Sequence, residues 1–112
     1  MMDIAFVYIT TPTRDEAEQI GRVLVSERLA ACVNIIPGMR SIYRWQGKVE
    51  QAREVVMIVK TRDPLFDKVV ERVKDLHSDT CPCIVSFPVS AGASTFLDWI
   101  RESTTGGEEE PD

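Results

Sequence analysis

The strand-forming segments of this chain are apolar on both faces, and no other feature constrains its fold as much. In the first, Ile4, Phe6 and Tyr8 alternate with Ala5, Val7 and Ile9. In another, Val55, Met57 and Val59 alternate with Val56 and Ile58. Successive strand side chains point to opposite faces. An antiparallel sheet covered by helices on one side should therefore read apolar, polar, apolar. These segments do not, so both faces need cover. Two or three helices cannot supply it for one sheet, and burial of the second face against other copies of the chain is expected. The competing expectation is that a terminal helix folds back over the open face.

The order of elements follows from local signals. Ile4 to Thr10 reads as a strand closed by Pro12. Thr13-Arg14-Asp15-Glu16 matches a capping box, in which the Thr13 and Glu16 side chains satisfy each other's backbone amides. Ala17, Ile20, Val23, Leu24 and Ala31 follow at helical spacing and predict a helix over 14–30. Cys32 to Ile36 reads as a second strand, broken or bulged at Pro37-Gly38 and resumed from Ser41 to Trp45. Gln46-Gly47 marks a hairpin turn into a third strand, Lys48 to Thr61. Pro64 opens a second helix at a position where no amide donor is needed, with Leu65, Phe66, Val69, Val70, Val73 and Leu76 as its apolar face. Pro82 to Pro88 holds a fourth strand, and Phe96, Leu97, Trp99 and Ile100 a short third helix. The sum is βαββαβ plus a C-terminal helix, an α+β, ferredoxin-like arrangement. One domain over 1–104 and an acidic, disordered tail over 105–112 are predicted.

The chain has 112 residues and a net charge of −5. Much of that charge lies in Glu108, Glu109, Glu110 and Asp112. No basic patch of the kind nucleic-acid binders carry is evident. Three cysteines, Cys32, Cys81 and Cys83, with no export signal, read as reduced thiols in a cytoplasmic protein. The apolar run from Ile4 to Ile9 is too short to span a membrane.

ERLAACVNIIPGMRSIYRWQGKVE, spanning Glu27 to Glu50, followed by Glu54 and Lys60-Thr61, resembles the CutA divalent-cation tolerance family. The similarity continues through His77, the Pro82–Ile84 strand entry and Phe96-Leu97-x-Trp99-Ile100, and covers about residues 4 to 104. It implies a ferredoxin-like fold, a compact homotrimer with long hairpins reaching onto neighbouring subunits, and a part in tolerance of copper and other divalent metals. Animal relatives are linked to anchoring of acetylcholinesterase. PII-type signalling trimers share the architecture, an analogy of fold alone. This chain departs from the family at one segment. Ser78-Asp79 stand where members carry x-Tyr after the histidine, and Cys83 where a glutamate is frequent. Ile9 and Leu76 stand where the resemblance would place a copper-binding thiol and a second histidine.

His77, Cys81 and Cys83 are the ligand-type cluster of the sequence, a soft set suited to Cu(I) or Zn(II). Its plainer reading is a helix-capping histidine and two small apolar thiols. Tyr43 and Trp45 share one face of the hairpin and read as interface anchors. Cys32 reads as buried packing, with an intersubunit cleft as its alternative; Lys60 reads as a solvated lysine or as a partner of Glu50 or Glu54 in a cleft between subunits. No phosphate loop, zinc-protease motif or CxxC pair is present, and no nucleophile–base pair is convincing, so no enzymatic activity is expected. Three readings remain: a metal-tolerance trimer, a PII-like trimer holding a small anion near Lys60 and Tyr43, and a ligand-free scaffold.

Overall fold

A computed structural model describes residues 3–105. The acidic tail predicted beyond Thr105 lies outside the described residues. In order, the elements are β1 (Ile4–Thr11), α1 (Arg14–Ser26), β2 (Cys32–Trp45), β3 (Lys48–Arg62), α2 (Phe66–Leu76), β4 (Ile84–Pro88) and α3 (Ser94–Ser103). They form one four-stranded sheet in the order β2-β3-β1-β4, antiparallel at every pairing. This is the split βαβ topology expected from the sequence.

α1 starts where the capping signal sits, but the box is only half formed. The Thr13 hydroxyl accepts from the Glu16 amide at 3.2 Å, while the Glu16 carboxylate accepts from the Ser78 amide at 3.0 Å. α1 ends at Ser26, four residues before the predicted end. Arg28 adopts φ +60, which turns the chain so that Leu29 and Ala30 enter the core. A single 3-10 turn at Asp63–Leu65 carries Pro64 and precedes α2. The Pro37-Gly38 break is a bulge between Ile36 and Met39 within one continuous strand. Gln46 and Gly47 both take left-handed φ values of 50° and 80°, the signature of a type I′ hairpin turn.

β2 has 14 residues and β3 has 15. At ~3.3 Å per residue such a ribbon is about 46 Å long. It therefore sets the 50 Å long axis of the molecule.

The main core lies between α1, α2 and one face of the sheet. Val7, Ile9, Met57 and Val59 meet Ala17, Ile20, Leu24, Val69 and Val73 there, all without solvent exposure. The opposite face carries Phe6, Tyr8, Ile58, Lys60, Val85 and Phe87, by register. α3 covers one end of it: Ile100 and Ile4 are buried, and the Phe96 ring lies over the Lys60 ammonium. Arg101 anchors α3 by donating from Nε and Nη2 to the two Asp3 oxygens at 2.8 and 2.9 Å. The fold-back alternative is thus realised over part of the face only. Ile36, Val85 and Phe87 remain open, Phe87 at 57% exposure. On the hairpin, Ile42 at 72% and Val49 at 65% project into solvent as well.

Candidate functional site

A cleft of about 390 Å³ lies along one face of the hairpin, lined by Thr10, Tyr43, Trp45, Glu54, Asp79, Thr80, Cys81 and Cys83. Four pieces of backbone meet there. β1 and β3 contribute Thr10 and Glu54, the far end of β2 contributes the two aromatics, and the α2–β4 loop contributes 79–83. Tyr43 and Trp45 share a face because they lie two residues apart on a continuous strand, opposite Glu50 and Lys48. Glu54 pairs with Met39 on that same face.

His77 shapes the loop. It ends α2, its amide donating to the Val73 carbonyl at 2.8 Å. Its side chain has no exposure. Nε2 lies 2.7 Å from the Thr10 carbonyl oxygen, and the Asp79 amide donates to Nδ1 at 3.0 Å. A carbonyl can only accept and an amide N–H can only donate, so these contacts select the neutral Nε2–H tautomer. β4 begins pairing at Ile84, opposite Ile9, which leaves the Thr10 carbonyl one residue past the ladder. His77 takes the place of the missing strand donor.

This geometry separates the predicted ligand set. Cys81 and Cys83 line the cleft, whereas both nitrogens of His77 are engaged in holding the loop. Among the described residues no three His, Cys, Asp or Glu side chains assemble into a metal-holding group. A divalent ion with tetrahedral or octahedral demands does not fit the residues present, so no metal step is derived for it. His77 closes α2 through its backbone amide alone, while its ring ties the loop to β1. Burial, together with the nearby Glu54 carboxylate, pushes the Cys83 thiol up from its ordinary value; a hydrogen bond with Thr10 offsets part of this. Both Cys81 and Cys83 are free thiols, as is Cys32.

Lys60 and Cys32 are remote from the cleft. They face each other across β2 and β3, six residues along β3 from Glu54, or about 20 Å. The Lys60 ammonium sits 5.5 Å from the centre of the Phe6 ring and 5.3 Å from that of Phe96, a cation–π seat. Within one chain it lies opposite neither Glu50 nor Glu54 in the register and away from Tyr43. The Asn34 amide donates to the Cys32 sulfur at 3.7 Å. Thr10 and Thr80 belong to the cleft, yet neither carries a motif that singles it out in the sequence. The β1–β4 register is the signal for Thr10, since it lies just beyond the last strand partner.

The sheet order, the overlong hairpin and the cleft along its face define the class: a ferredoxin-like α+β protein whose β2–β3 arm extends past its own core. The model of the CutA1 divalent ion tolerance protein family matches residues 5–103, and the chain belongs to that family. The divalent-cation tolerance protein CutA of Thermus thermophilus is 52% identical over 98 residues, which is 88% of this chain and 95% of that protein. A solved structure of the Thermus thermophilus divalent cation tolerance protein superposes with a TM-score of 0.89 at 50% identity, covering 90% of this chain and 98% of that one. The structure described as the periplasmic divalent cation tolerance protein CutA of Archaeoglobus fulgidus superposes with a TM-score of 0.88 at 48% identity, covering 90% and 98%.

Proposed function

We propose that the protein is a non-enzymatic homotrimer of the cytoplasm that serves tolerance of divalent cations, copper among them. The observation that carries the assembly is the apolar surface that the fold leaves open. Val85 and Phe87 on the sheet, Tyr43 and Trp45 on one face of the arm, and Ile42 and Val49 on its other face are all exposed. An isolated soluble domain rarely leaves so many large apolar groups on neighbouring elements. An arm of one chain laid on the sheet of the next is a heterologous contact, which must close into a ring to avoid growing as a filament. The family resemblance supports three as the number that closes it. The non-enzymatic reading is supported by the only histidine of the chain, whose ring is committed to backbone contacts.

Sedimentation velocity at micromolar concentration tests the assembly. The wild-type chain should sediment at three times its own mass, and Trp45→Glu combined with Phe87→Glu should release monomers that keep their far-UV circular dichroism. A monomeric wild type overturns the proposal. For the role, deletion of the gene should sensitise its host to copper, and the wild-type sequence should restore tolerance.

A further inference from the structure

We infer that Arg40, Arg44 and Arg53 make one face of the arm a seat for an acidic peptide, and that its occupant is the run Glu108-Glu109-Glu110 of a neighbouring copy. The inference rests on the assembly reading above. Three observations lead to it. The first is the segregation of charge on the arm. By register Arg40 lies directly opposite Arg53, Ile42 opposite Gln51, and Arg44 opposite Val49. Strand alternation puts these six on one face, and all six are exposed. That face holds three cations and no carboxylate, whereas Glu50 and Glu54 lie on the other. Like charges directly opposite each other across two strands destabilise the pair. Among the described residues, the ion pairs of the chain leave all three guanidinium groups without a carboxylate.

The second is the apolar ground between the arginines. Ile42 and Val49, the most exposed large apolar groups of the arm, mark this face for contact with another copy. Covering it desolvates the guanidinium groups, and a charge buried without a partner is strongly destabilising. The covering chain must therefore bring carboxylates, with which arginine forms paired, charge-assisted hydrogen bonds. The third is where those carboxylates come from. Glu108, Glu109, Glu110 and Asp112 supply four negative charges in a chain of net charge −5. Seated in extended form, Glu108, Glu110 and Asp112 present one side over about 13 Å, the span from Arg40 to Arg44 along β2. The run does not reach its own arm. It follows Thr105, whose hydroxyl accepts from Arg28, and Thr104, whose carbonyl accepts from Arg62 at the end of β3. Gln51, in the middle of the arginine face, lies eleven residues along β3 from Arg62, or about 36 Å. The five residues from Thr105 to Glu110 extend at most about 18 Å. The occupant therefore comes from a neighbour.

The test is disulfide trapping in the full chain, with Cys32→Ser, Cys81→Ser and Cys83→Ser removing the native thiols. A copy carrying Gln51→Cys on the arm is co-expressed with a copy carrying Gly106→Cys ahead of the acidic run, the two distinguished by a size tag. Mild oxidation should give a mixed disulfide-linked pair on non-reducing gels. Arg40→Gln with Arg44→Gln and Arg53→Gln in the first copy should lower its yield about fivefold, and salt at about 0.5 M should do the same, because exposed ion pairs are screened. Glu108→Gln with Glu109→Gln and Glu110→Gln in the second copy should match the arginine variant. Sedimentation of each variant should still show the wild-type mass. Trimers that form no mixed disulfide, or a yield indifferent to the arginines, would overturn the inference and leave the assembly standing. A chain carrying both cysteines that links to itself and not to a neighbour would overturn it too, while a monomeric wild type would overturn both readings.

Discussion

Replacing His77 by alanine tests the claim that this side chain holds the cleft loop by hydrogen bonds. The imidazole is fully buried, with the Glu16 carboxylate 3.5 Å from Nδ1, and makes two hydrogen bonds, Nε2–H to the Thr10 carbonyl at 2.7 Å and Nδ1 from the Asp79 amide at 3.0 Å. Each is worth about 0.5–1.5 kcal/mol net. The Thr10 residue is itself buried at 7% exposure, so its carbonyl loses its partner with restricted access to water, a further cost of about 1 kcal/mol. The sum is a loss of about 2–4 kcal/mol. With a urea slope of about 2 kcal/mol/M, the midpoint of unfolding should fall by roughly 1–2 M when measured at fixed protein concentration. Glutamine can donate to Thr10 and accept from Asp79, so His77→Gln should recover about half of the loss. A change below ~0.5 kcal/mol in His77→Ala, or no difference between the alanine and glutamine variants, would refute the reasoning.

Two further outcomes follow from local geometry. Gly47 has φ +80 at the tip of the arm, with nothing within 4 Å of a built Cβ, so Gly47→Val should cost about 1–2 kcal/mol through backbone strain alone, read from urea unfolding with far-UV circular dichroism unchanged. The hydrogen bonds and charge of Arg101 hold the Asp3 carboxyl below its ordinary value; a depressed folded value means stabilisation that is present above the unfolded value of about 3.9 and is lost as pH falls through the folded one. Asp3→Asn should therefore be less stable than wild type at neutral pH, with the difference closing as the pH falls through the lowered Asp3 value; because both partners are partly exposed, salt should narrow the gap.

The order and type of the elements are legible in the residues because each rests on a local cause. Thr13 caps α1 through its own hydroxyl, Gln46-Gly47 supplies the two left-handed positions of a hairpin, and Pro64 opens a helix where no donor is lost. The unsatisfied second face is also legible, since strand alternation is a property of consecutive residues. So is the family, through the run from Glu27 to Glu50.

Contacts between residues far apart in the chain are not. Spacing makes Glu16 the second half of a capping box, but its carboxylate accepts from Ser78, 62 positions away. Proximity alone groups His77 with Cys81 and Cys83 as a ligand set; its nitrogens are turned instead to Thr10 and Asp79. The seat of Lys60 against the Phe6 and Phe96 rings likewise joins residues far apart in the chain. A side chain's role depends on which polar atoms reach it first. Sequence spacing determines that within a turn or a hairpin, while only the packed sheet decides it between β1, the α2–β4 loop and the end of the arm.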